Sequence, residues 1–164
     1  MEFGAGPSDY LRATAGVQWL ATLASGQLLT RGYLGAGTAQ LPAHRSFVIG
    51  GRGTLVGEPF RKYGGRYVAL GHLEWRFDLP IPALELGSFA STGRRVTLAP
   101  FVAAGYTADP IDQLPTKNTG GVRPVAGVAV ELFMRLLRLE AGIGMRDGVI
   151  GVTVDVNRDW WGLL

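Results

Sequence analysis

Between Arg66 and Leu79 the sequence RYVALGHLEWRFDL alternates: Tyr67, Ala69, Leu73, Trp75, Phe77 and Leu79 fall on one side, Arg66, His72, Glu74, Arg76 and Asp78 on the other. A period of two is that of a pleated strand, so this stretch separates a wet region from a dry one. Such a strand needs neighbours of the same kind, and the chain supplies them. In Tyr10–Leu23, Leu11, Ala13, Ala15, Val17, Trp19, Ala21 and Leu23 alternate with Arg12, Thr14, Gly16 and Gln18. Gln27–Ala39, Arg95–Tyr106, Val122–Met134 and Leu137–Met145 follow the same rule, and a last strand sets Ile150, Val152, Val154 and Val156 against Gly151, Thr153 and Asp155. Ala24–Gly26 and Arg146–Gly148 carry the residues of tight antiparallel turns.

The polar face recurs on nearly every strand. In a soluble sandwich it would look outward to water, whereas here the pattern points to a barrel whose apolar side faces lipid. Composition agrees: 47% of the 164 residues are hydrophobic and 18% charged, and mean hydropathy is +0.18, which excludes a disordered chain. No run of about 18 apolar residues exists, so a membrane helix is excluded by length. Many of the 25 glycines sit inside apolar runs, where each would weaken a helix by roughly 1 kcal/mol.

Two long connections stand out, Gln40–Gly65 and Thr107–Gly121, against short ones at Ala24–Gly26 and near Arg135. Outer-membrane barrels show that asymmetry between their two ends. Aromatic residues gather near strand ends, and Tyr67, Trp75, Phe77, Trp160 and Trp161 are placed to form interfacial girdles. Residues 1–9, without a basic or apolar core, read as a leader to the first strand and not as a signal peptide. Residues 10–164 read as one barrel domain with a lumen-directed loop at 40–65.

Chemistry is not signalled. The chain has no cysteine and only two histidines, His44 and His72, and no nucleophile elbow. His72 beside Glu74 and Asp78 falls short of the three or four tightly spaced ligands of a zinc site. The expectation is no enzyme, no metal and no cofactor. A net charge of +3 is too small for a phosphate-binding footprint, so nucleic acid is not an expected partner.

The run Phe47–Leu79, with APFVAAGYTADP at Ala99–Pro110 and the terminal hairpin, resembles the C-terminal half of the barrel in the BamA and TamA superfamily of outer-membrane assembly and secretion proteins, the bacterial surface antigen family. The resemblance covers about Tyr10–Leu164. It implies a bacterial outer-membrane location, a sixteen-stranded barrel, insertion or export of other proteins without covalent chemistry, and a loop folded into the lumen. In the family that loop carries a Val-Arg-Gly-aromatic tip after a Gly-Gly pair. Here the pair is Gly50 and Gly51 and the tip reads Leu55, Val56, Gly57, Glu58, so the glycine matches and the arginine and aromatic do not. Of the two acidic wall groups that the family's arginine contacts, Glu74 takes the first position and Ala103 replaces the second. The resemblance therefore implies a rewired latch near Glu74 and Arg76, with Arg52, Arg61 or Glu58 as replacements.

The fold expected is all-β, an antiparallel transmembrane barrel of about eight strands, either a small closed barrel or the C-terminal half of a sixteen-stranded one, with self-closure preferred. The last strand, bearing Ile150, Val152, Val154 and Val156, would be the closing edge. Expected partners are the lipid bilayer, client outer-membrane proteins or a second barrel chain. The alternatives are a structural or anchoring barrel without translocation activity, and a soluble ligand-binding barrel.

Overall fold

Alternation becomes strand wherever a turn ends it cleanly. Ala24–Ser25 turns the chain between two strands, Asp147–Gly148 turns it again, and Phe133 and Arg135 take positive φ of 51° and 70° in the tight connection between them. The computed structural model describes residues 2–4, 9–83, 85–86, 90–91, 93–133 and 135–156. Its strands are β1 (Glu2–Gly4), β2 (Tyr10–Leu23), β3 (Gly26–Gly37), β4 (Phe47–Ile49), β5 (Tyr63–Gly65), β6 (Tyr67–Pro80), β7 (Glu85–Leu86), β8 (Ala90–Ser91), β9 (Arg95–Ala108), β10 (Arg123–Leu132), β11 (Leu137–Gly144) and β12 (Ile150–Val156). A three-residue 3-10 turn at Ala43–Arg45 is the one helical element described.

The main sheet is antiparallel, in the order β1-β2-β3-β6-β9-β10-β11-β12. Seven of its strands are long. Register runs unbroken across them: Trp19, Thr30, Leu73, Val102, Ala126, Ile143 and Ile150 pair in one row from β2 to β12. A slip of one residue anywhere would move a whole strand's apolar set to the other face. The all-β, antiparallel expectation is met.

The two faces are inverted relative to an ordinary soluble sheet. Trp19, Leu34, Leu73, Val102, Ile143, Ile150 and Val152 are exposed, while Glu74, Arg76, Glu131, Arg138, Glu140 and Asp155 are buried. The buried side is concave, and the loop between β3 and β6 fills it. Phe47, Ile49, Leu55, Val56 and Tyr63 from the loop pack on Val68, Phe101, Ala103 and Val125 of the wall. Burying each of the loop's larger aliphatic side chains contributes about 1.5–3 kcal/mol, so the molecule's apolar core lies between sheet and loop.

The expected closure and the expected division of connection lengths both change. The small self-closed barrel is not formed: the sheet ends at β1 and β12, which do not pair with each other among the described residues. Eight strands leave a lumen just wide enough for side chains, and here a folded segment of backbone occupies that space. Within residues 1–9, Glu2–Gly4 pair with Arg12–Tyr10. The connection from Pro80 to Arg95 also holds a minor hairpin, β7–β8, at the same end as the two short turns. Connection length therefore does not divide the ends as simply as the sequence implied. Trp160 and Trp161 lie outside the described residues.

Candidate functional site: a loop seated on the concave wall

The loop is built as a hairpin with a tip. Phe47–Ile49 pair with Gly65–Tyr63, Gly51 bridges Leu55, and the Gly50 amide donates to Thr54 Oγ1 at 2.8 Å. A second loop braces it: the Gly64 amide donates to the Lys117 carbonyl and the Lys117 amide to the Lys62 carbonyl, at 2.9 and 3.0 Å. On the wall side Arg12 stacks over the Phe47 ring at 4.4 Å.

The tip lands on the terminal hairpin β11–β12. Gly57 has φ +105°, and a Cβ there would come within 2.7 Å of the Gly144 nitrogen. From the other side, a Cβ on Gly142 would lie 2.5 Å from the Val56 carbonyl oxygen, and one on Gly151 2.6 Å from the Gly57 nitrogen. Backbone thus meets backbone, which needs glycine on both partners.

Two ion pairs of opposite polarity fix the seated loop. Arg52 donates to Asp155 of β12 at 2.5 Å. Glu58 accepts from Arg123 of β10 at 3.2 Å and from the Tyr63 hydroxyl at 2.9 Å. Arg123 also pairs with Asp147 in the β11–β12 turn and lies over the Tyr63 ring at 4.6 Å. Burial, reinforced by the bond to Glu58, pushes the Tyr63 phenol up to about 12. The hydrogen bond from Arg123 holds the Asp147 carboxyl below its usual value.

A second cluster lies nearer the short turns and belongs to the wall. Arg138 contacts three carboxylates: Glu74 at 2.6 Å, Glu131 at 2.6 Å and Glu140 at 2.7 Å. Arg76 donates to Glu74 at 2.5 Å, His72 Nε2 lies 3.0 Å from the same carboxylate, and the His72 ring stacks on Phe101 at 5.3 Å. Thr153 of β12 donates to Glu140 at 3.2 Å.

Set against the sequence reading, Arg52 and Glu58 reach wall partners, whereas Arg61 is exposed at φ 51° with its guanidinium over Phe60. Val56 and Gly57 sit on β11–β12 and not beside Glu74. The hydrogen-bonding partners of Glu74 are His72, Arg76 and Arg138, all on the wall. A wall arginine therefore stands where the resemblance implies a loop arginine. Ala103, opposite His72 in the ladder, is buried against the loop's apolar side. Tyr67 and Trp75 are exposed on the convex face near opposite ends of β6, with Phe77 half-buried beside Trp75. Ile150, Val152, Val154 and Val156 are exposed on the convex face of β12.

Sequence reading did not single out Arg138, Glu131, Glu140, Arg123 or Asp155. One signal was present: Glu74/Arg76 and Arg138/Glu140 are opposite charges two residues apart, hence on one face of a strand. Among the described residues no group of three or more acidic, histidine or cysteine side chains is arranged to hold a metal ion. No protein-family model matches the chain, and no curated protein matches its sequence.

Proposed function

We propose that this chain forms a wall segment of a bacterial outer-membrane β-barrel, with lipid on the convex face and a water-lined lumen on the concave one, and that it serves insertion or export of other envelope proteins without covalent chemistry. The observation that carries the membrane reading is the inverted burial. Val17, Trp19, Leu34, Ile150 and Val152 are 60–71% exposed, while seven ionisable side chains on the concave side and loop are at most 7% exposed. A soluble ligand-binding barrel would need the opposite arrangement. Aromatic side chains support it, with Tyr67 and Tyr106 adjoining near one end of the sheet and Trp19 and Trp75 nearer the other.

The insertion reading rests on the family resemblance and on β12, an edge strand held in place by the loop tip, to which an incoming strand can add through backbone hydrogen bonds. A second reading, an anchoring barrel without translocation activity, is favoured by one feature: Arg138 satisfies Glu74 from the wall, leaving the loop no partner to exchange there. Liposomes containing the purified chain should accelerate folding of an added outer-membrane barrel over empty liposomes. Membrane insertion of the chain without that acceleration selects the anchoring reading, and a chain that stays in aqueous buffer defeats both.

A further inference from the structure

We infer that a second copy of this chain completes the sheet, so that two copies close one barrel around two seated loops; the inference rests on the membrane reading and names the partner at the β12 edge. Three observations carry it. First, among the described residues both ends of the sheet are open. There β1 pairs with Tyr10–Arg12 of β2, which leaves the β2 edge open from Ala13 to Leu23, and β12 has β11 on one side and no described strand on the other along Ile150–Val154. In hydrocarbon each unsatisfied backbone group costs several kcal/mol, so an open edge does not persist there.

Second, the described strands do not close on themselves. About eight strands enclose room for side chains only, and the concave side holds the β4–β5 hairpin and the tip that follows it, seated on Gly142, Gly144 and Gly151. Any closed form needs strands from elsewhere, and twice the seven long strands lies within the range of known membrane barrels.

Third, the two edges suit a head-to-tail copy. β2 and β12 are six antiparallel steps apart and therefore run in the same direction. Both present apolar side chains on the convex face, with Val17 and Trp19 on one and Ile150 and Val152 on the other. A copy rotated by half a turn about the barrel axis, with its long loops at the same end, brings β12 of each chain beside β2 of its partner. Two identical seams then close the ring. Each seam is parallel, and parallel ladders are slightly less stable per residue than antiparallel ones. The seams are the weak lines of the wall, where a client strand would compete for β12.

The absence of cysteine makes the seam directly testable. An Ala15→Cys chain and a Val152→Cys chain, carrying different tags, are co-expressed, extracted in detergent and treated with a short thiol-to-thiol crosslinker. The expected product carries both tags, and the uncrosslinked particle has twice the 17.5 kDa chain mass after subtraction of detergent. The double variant A15C/V152C should likewise give linked dimers. A cyclised monomer from it, or a detergent-bound monomer with no link between tags, overturns the inference and leaves the membrane reading standing. A chain that remains in aqueous solution without detergent overturns both.

Discussion

Arg138 Nη2 lies 2.6 Å from Glu74 Oε2, although β11 and β6 are three places apart in the sheet. In a flat sheet those strands would be about 14 Å apart, so the contact exists only because the wall curls. The guanidinium spans three carboxylates on β6, β10 and β11, acting as a chord across the curve. Arg76, paired with Glu74 and 3.7 Å from Glu131, closes the network on the other side.

Removing that chord leaves buried carboxylates uncompensated. Arg138→Met should destabilise the folded chain by about 3–5 kcal/mol, the cost of stranding a buried charge. The check is the urea midpoint in detergent. Arg138→Lys should recover only part of the loss, because an ammonium cannot reproduce the planar contacts of a guanidinium. An unchanged midpoint for Arg138→Met would show the cluster to be water-filled and energetically slack.

The strands and their tight turns were legible because a two-residue period is written directly into Leu137–Gly144 and Tyr67–Pro80. What was hidden is everything that depends on curvature. Nothing in the spacing of Glu74, Glu131 and Arg138 says that they meet, since the distance between them is set by how far the sheet bends. The landing place of Gly57 was equally hidden, because the glycines that receive it, Gly142, Gly144 and Gly151, read in the sequence simply as small residues on an inner face. That Arg138 stands where the family resemblance implies a loop arginine had no sign in the sequence beyond Val56 at the tip.

The two faces should respond differently to a new charge. Leu139→Arg, on the convex side of β11, should cost roughly 2–4 kcal/mol if lipid lies there. The matching concave control is Thr14→Arg, where the side chain is exposed. Gly142, although concave, is no such control, since any side chain there strikes the Val56 carbonyl. Equal losses for Leu139→Arg and Thr14→Arg in an unfolding titration would contradict a lipid-facing convex side.

Tyr63 gives the loop an alkaline limit. Its phenol titrates at about 12 when the loop is seated and at about 10 when unfolded. The unfolded state therefore releases the proton first as pH rises. Stability contributed by the Tyr63 interaction is fully present below pH about 10 and is lost as pH climbs through about 12. Phenolate absorbance should show one tyrosine titrating late, and Tyr63→Phe should abolish that late step. If the late step survives in Tyr63→Phe, the buried phenol is a different one.

The loop tip offers the sharpest probe of how edge and loop communicate. Gly57 combines a positive φ with a backbone approach so close that a methyl group would meet the Gly144 nitrogen at 2.7 Å and the Gly142 carbonyl oxygen at 2.9 Å. Gly57→Ala adds strain of order 1–3 kcal/mol for a non-glycine residue held in that backbone region, together with the overlap, and neither is relieved without lifting the tip. The tip alone should move, because Glu58–Arg123 and the β4–β5 hairpin are anchored independently. Arg52, whose side chain is 57% exposed, would then hold Asp155 too weakly to keep β12 clamped, as exposed pairs are worth about 1 kcal/mol or less. Expected results are faster thiol labelling of Val56→Cys in the Gly57→Ala background and faster hydrogen exchange along Ile150–Val156, with Tyr67–Pro80 unchanged. Uniform acceleration across both strands would mean global loosening instead, and no change in β12 would separate the loop tip from the edge.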